Sequence, residues 1–165
     1  YGVGKRVSEH LCALYRDRFG VETVVARCFA FVGADMPWDA QFAIGNFIRD
    51  ARRAPAISLQ GDGRAVRSYM DQRDLALWLT QMLMRGRVGE AYNVGSEDAV
   101  SILDLAHLVR DIVAPQKPVH RPERPAPEDA ERNRYVPSTE KASRELGLSL
   151  RWPLDRAIAY AAEAI

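Results

Sequence analysis

Tyr1-Gly2-Val3-Gly4-Lys5 sets a phenol and an ammonium four residues apart at the start of a helical pattern. Residues at that spacing share one helix face. A cation beside a phenol favours the phenolate. A phenol so placed can take a proton from an alcohol, or return one, while a hydride moves. The same spacing also arises by chance on exposed helices, so the pair gains meaning only from the residues downstream of it.

The elements that would position this pair alternate between helix and strand. Residues 2–18 read as a helix with Val3, Val7, Leu11 and Leu14 on one stripe, closed by Gly20. Val21–Phe31 is an apolar run expected to form a strand buried on both faces. Residues 40–53 form a second helix, Ile57–Leu59 a short strand, Gln60-Gly61-Asp62-Gly63 a turn and Val66–Met70 another strand. Asp71 caps a helix running to Arg85, with Asp74 in its first turn. Ala91–Val94 is a strand ending at Gly95, and Ser101 to Asp104 is a capping box for a helix to Val113. Residues 115–137 carry six prolines among mixed charges and read as a surface connection. Thr139–Leu146 and Leu154–Ala164 are the last helices, with Pro153 at a helix start.

Composition fits a cytosolic globular chain. Hydrophobic residues make up 47% of 165, enough to build a core. A net charge of +1 argues against nucleic acid or an anionic membrane as the main partner. No apolar run approaches the ~20 residues of a membrane span. Cys12 and Cys28 are expected to be buried free thiols, and without His or Cys at ligand spacing they give no metal site. His10, His107 and His120 suggest no metal cluster by spacing. Trp38, Trp78 and Trp152 read as core or interface residues.

The order of motifs resembles the C-terminal half of the extended short-chain dehydrogenases/reductases that act on nucleotide sugars. Tyr1 and Lys5 match that family's Tyr-x-x-x-Lys. Arg27-Cys28-Phe29-Ala30-Phe31-Val32-Gly33 resembles its Arg-x-Phe-Asn-x-x-Gly. Gly61-Asp62-Gly63 resembles its Gly-x-Gly turn. Arg67 to Ala76 follows its Arg-x-Phe/Tyr-x-x-x-x-Asp-x-Ala, and Tyr92-Asn93-Val94-Gly95 matches its Tyr-Asn-Val-Gly. Arg124-Pro125 and Ser138–Gly147 resemble the elements near its end.

The resemblance implies an α/β fold: the last elements of a Rossmann-like NAD(P) domain, residues 1–35, then a substrate lobe, residues 36–165. Residues 66–95 or so would return to the Rossmann sheet. No Gly-rich phosphate loop occurs, and a catalytic residue rarely begins a complete fold. The expectation is therefore a C-terminal portion, inactive alone, of an epimerase or dehydratase that uses NAD or NADP.

Roles are assigned by position. Tyr1 would be the acid/base, and Lys5 would hold the nicotinamide ribose. Phe29 and Ala30 would lie along the cofactor. Arg67 would bind the diphosphate of a nucleotide sugar with its planar fork. Asn93 would either approach the same phosphates or stabilise the turn before Gly95. Arg124 or Arg132 would close over the nucleotide, against the alternative of ordinary surface pairing. Ala30 stands where the family often has a substrate-binding asparagine, and Asn46 is a candidate replacement. A homodimer through the first helix is also implied. The competing reading is a non-catalytic nucleotide-sensing module, supported by Ala30 and opposed by Tyr1 and Lys5.

Overall fold

The computed structural model describes residues 1–38, 40, 42–122 and 133–165. Helix α1 spans Gly2–Phe19 and stops at Gly20, whose left-handed φ of 67° lets its N–H reach back to Arg16 and Tyr15 carbonyls. The predicted stripe of Val3, Val7, Leu11 and Leu14 is exposed, and α1 buries none of its residues within this chain.

The run after α1 is two strands rather than one. β1 is Val25–Cys28 and β2 is Phe31–Val32. Between them the Phe29 N–H still bonds the Val94 carbonyl, while the Ala30 carbonyl accepts from Met70 N–H. The chain thus passes from one partner strand to another. Nor is β1 buried on both faces, because Arg27 and Cys28 are exposed. The expected strand at Val66–Met70 divides for the same reason. β4 (Val66–Arg67) sits between β7 (Val100–Ser101) and β9 (Arg134–Tyr135), whereas β5 (Met70–Asp71) runs parallel to β2. β3 (Ile57–Ser58) pairs with β8 (Val119–His120), so the proline-rich stretch contributes strands at both ends.

β6 (Ala91–Val94) lies parallel to β1 in register from Val25–Ala91 to Cys28–Val94. Six helices complete the described chain: α1, α2 (Ala43–Arg53), α3 (Gln72–Arg85), α4 (Ile102–Val113), α5 (Glu140–Leu146) and α6 (Leu154–Ala162). Helices α2, α4 and α6 pack around one apolar cluster containing Ile44, Ile48, Leu105, Val109 and Ile158. A second cluster gathers Met70, Trp78, Met82, Tyr92, Val94, Ala142 and Leu146 from α3, α5 and the neighbouring strands. Strand alternation joins them. Val32 and Tyr69 enter the first cluster, while their chain neighbours Phe31 and Met70 face the second.

Local signals explain the helix ends. Asp71 accepts from Arg73 N–H to start α3, and Ser101 accepts from Asp104 N–H to start α4. Lys117 Nζ closes the end of α2 by donating to the Asp50, Ala51 and Ala54 carbonyls. Asp74 lies in the first turn of α3, where the sequence places it, but its carboxylate turns away from solvent. It is fully buried and accepts from the Arg151 and Trp152 N–H groups, pinning the approach to α6. The cysteines also depart from expectation: Cys12 is half-buried and Cys28 exposed, because their elements lack a covering layer within this chain.

Candidate functional site

Tyr1 and Lys5 occupy the first turn of α1, with the Lys5 Nζ 5.3 Å from the centre of the Tyr1 ring. Tyr1 is wholly exposed. A two-pronged ion pair ties this helix to β1: Arg27 Nε donates to Glu9 Oε1 at 2.8 Å and Nη2 to Oε2 at 2.7 Å. The Arg27 guanidinium holds the Glu9 carboxyl below the usual carboxylate range. Although Cys28 is exposed as a residue, partial desolvation pushes its thiol up, and the Lys5 charge partly opposes that rise. In open α/β sheets, ligands bind at the carboxyl ends of the parallel strands.

Phe29 lies directly after the carboxyl end of β1. Its ring stacks on Tyr135 with centroids 4.6 Å apart. Gly95 lies beneath both segments. A Cβ there would stand 3.0 Å from the Pro137 ring and 3.2 Å from the Phe29 side chain. A side chain at the glycine that ends Tyr92-Asn93-Val94-Gly95 would thus press on both segments, which would have to give by a few tenths of an ångström. Asn93 donates to the Ser138 carbonyl at 2.9 Å. Of the two roles open to Asn93 this favours the structural one, though it fastens the segment before α5 and not the turn itself.

Arg67 is placed differently from expectation. Its Nη1 donates to the Val66 and Asn133 carbonyls, each at 2.8 Å, and its Nη2 to Asn133 Oδ1 at 2.7 Å. Its own side chain does not line the cavity that its partner Asn133 borders. That cavity has a volume of about 750 Å³, and its other polar walls are Asn46, Arg49, Asp50, Ser58, Gln60 and Asp62. Asn46 therefore faces a cavity from the first turn of α2. Tyr69, two residues beyond Arg67, has its phenol pushed up to about 12 by burial, with Arg67 acting in the opposite sense. Arg124 and Arg132 lie outside the described residues.

Sequence reasoning missed Asn133 and Tyr135. They sit at the end of the proline-rich stretch, where Tyr135-Val136 before Pro137 was the available sign of a strand. Through them the structure joins Phe29 to Arg67, since Tyr135 stacks on the first and pairs in register with the second. Among the described residues no group of three His, Cys, Asp or Glu is arranged to hold a metal, and no helix is long and apolar enough to cross a membrane.

Comparison with known proteins adds three findings. The model of the NAD dependent epimerase/dehydratase family matches residues 1–95. The chain is 32% identical over 159 residues to UDP-glucuronic acid decarboxylase 1 of Danio rerio, covering 96% of this chain and 37% of that protein. It superimposes on the Bordetella bronchiseptica enzyme WbmF, solved with NAD+ and UDP, with a TM-score of 0.84 and 26% identity. UDP-glucose 4-epimerase of Thermotoga maritima, solved with UDP-glucose, gives 0.87 at 21% identity. These superpositions cover 99% of this chain and 51% and 52% of the solved ones. The chain thus spans about two-fifths of that curated relative and half of each solved fold.

Proposed function

The chain belongs to the NAD dependent epimerase/dehydratase family, and from that premise we propose that it is the substrate-side portion of an NAD(P)-dependent enzyme acting on a nucleoside-diphosphate sugar. The observation that carries this reading is the Tyr1–Lys5 pair on one face of α1, a helix that the Glu9–Arg27 ion pair ties to β1. Residues 1–35 and about 66–95 belong, in this proposal, with a dinucleotide-binding half, and the rest with the substrate lobe. This is the C-terminal portion of the intact enzyme, and alone it does not turn over.

Tyr1 accepts the proton of a sugar hydroxyl and later returns one. Lys5 stabilises the phenolate that forms and holds the ribose of the cofactor. NAD(P), when bound, supplies the acceptor and donor of hydride. Phe29 and Ala30 border the place where such a group would lie, at the strand end that ligands occupy in this class of sheet. Arg67 meets the diphosphate, and the cavity bordered by Asn46 and Asn133 receives the nucleoside. The transient keto-sugar is then epimerised or dehydrated. Decarboxylation is the second reading, favoured by the identity to UDP-glucuronic acid decarboxylases. Retention of Tyr1 and Lys5 supports an enzyme over a nucleotide-sensing module. The proposal also places the protein in the cytoplasm as a homodimer through α1, supported by the exposed stripe on that helix.

The test is kinetic. In the full-length enzyme, assayed with UDP-, dTDP-, CDP- and GDP-sugars including a uronic acid, Tyr1→Phe should lower kcat by about 10²–10⁴-fold with little change in KM. A kcat within about twofold of the parent, where a general acid/base is worth 10² or more, would refute the assignment. Release of carbon dioxide from the uronic acid would select the second reading.

A further inference from the structure

A guanidinium carries five N–H donors in a fixed plane. In Arg67, Nη1 uses both of its donors on the Val66 and Asn133 carbonyls, and Nη2 uses one on Asn133 Oδ1. What remains is the Nε–H and the second Nη2–H, which lie along one edge and find no partner among the described residues. That edge matches two oxygens of a phosphate. Asn133 is itself anchored, because its carbonyl also accepts from Val66 N–H and it leads into β9 alongside β4. It borders the cavity as well. We infer that Asn133 is a positioning residue that fixes the orientation of Arg67, so that one guanidinium edge is presented ready-made to the diphosphate of the substrate. This rests on the reading of Arg67 as a diphosphate ligand.

A pre-set arginine loses less side-chain freedom on binding than a mobile one. Removing the Asn133 amide should therefore weaken nucleoside-diphosphate binding by about three- to tenfold, the range of one hydrogen bond. Binding of the bare nucleoside should stay the same. Calorimetric titration of the full-length protein with UDP, dTDP, CDP and GDP identifies the nucleotide, and its nucleoside serves as the second probe. Asn133→Ala is compared in the native and Arg67→Ala backgrounds, and Asn133→Ser gives a second variant should the alanine chain fail to fold. The expected result is a loss in the native background and none in the Arg67→Ala background. Equal losses in both, or a matching loss for the nucleoside, would mean a general structural role and overturn the inference. So would no loss from Asn133→Ala where Arg67→Ala alone weakens binding. If Arg67→Ala leaves binding unchanged, or none of the four nucleotides binds, the reading of Arg67 fails and the inference goes with it.

Discussion

Gly63 offers the sharpest test of how the Gly61-Asp62-Gly63 turn shapes the cavity wall. Its φ is +77°, and an added Cβ would stand 2.8 Å from Leu103 Cβ, 2.9 Å from Leu59 Cδ2 and 3.3 Å from Leu103 Cα. Leu103 cannot swing away cheaply, because its N–H is bonded to the Gly63 carbonyl at 3.0 Å. A left-handed backbone costs a non-glycine residue about 1–2 kcal/mol, and forcing atoms into a packed site costs about 1–3 kcal/mol more. Gly63→Ala should therefore destabilise this region by about 2–5 kcal/mol. Gly61 provides the control. Nothing lies within 4 Å of a Cβ there and its φ is not left-handed, so Gly61→Ala should fall within about 1 kcal/mol of the parent, on the stabilising side. Amide exchange in the full-length protein, read by mass spectrometry over residues 57–66 and 102–113, reports both variants. Equal protection in the two variants, or a Gly63→Ala change below about 0.5 kcal/mol, the scatter of neutral surface changes, would refute the argument.

Two other outcomes concern groups that the sequence alone did not place. Asp74→Ala leaves the Arg151 and Trp152 amides without their acceptor; it should cost about 2–4 kcal/mol and speed exchange at those two amides, and unchanged protection there would count against the buried carboxylate as the pin. Cys28 sits above the ordinary thiol range through burial, with Lys5 opposing. Since alkylation tracks the thiolate, its rate at Cys28 should rise with pH through a midpoint above that of an unperturbed thiol. Lys5→Met removes the opposing charge and should move that midpoint higher still. Site-resolved mass spectrometry measures it, and a midpoint that stays put or falls would show that Lys5 is not near Cys28.

Helix positions were legible because caps and periodicity are local. Asp71 and Ser101 act where the sequence put them, and Gly20 ends α1 in the expected conformation. Strands were less legible, because their ends depend on a partner. Nothing local tells Phe29–Ala30 that its hydrogen bonds pass from Val94 to Met70, nor Ser68–Tyr69 that β4 and β5 belong to different sheets. Burial on both faces of β1 was inferred from composition, yet composition cannot say which neighbours this chain supplies. At the site, the local pair Tyr1 and Lys5 was readable from spacing. Arg67 was readable as a residue type but not as a geometry, since its partner lies 66 residues away.

That long-range geometry also says how the two sides of the proposed site are coupled. The Ala30 carbonyl accepts from the N–H of Met70, three residues beyond Arg67. Phe29 stacks on Tyr135, which pairs in register with Arg67. Phe31 and Met70 continue into one apolar cluster, and Val32 and Tyr69 into the other. A seam of two short parallel strands and one aromatic stack thus connects Arg67 with Phe29 and Ala30, the residues proposed to lie at the nucleotide and at the cofactor. Packed interiors resist gradual deformation, so the seam fixes the distance between the two ends. In the proposed reaction such a fixed distance would matter, because a sugar held by its diphosphate must still bring its reacting carbon against the cofactor. Substitution at Tyr135, which is not among the residues lining the cavity, should loosen that distance by removing the stack on Phe29.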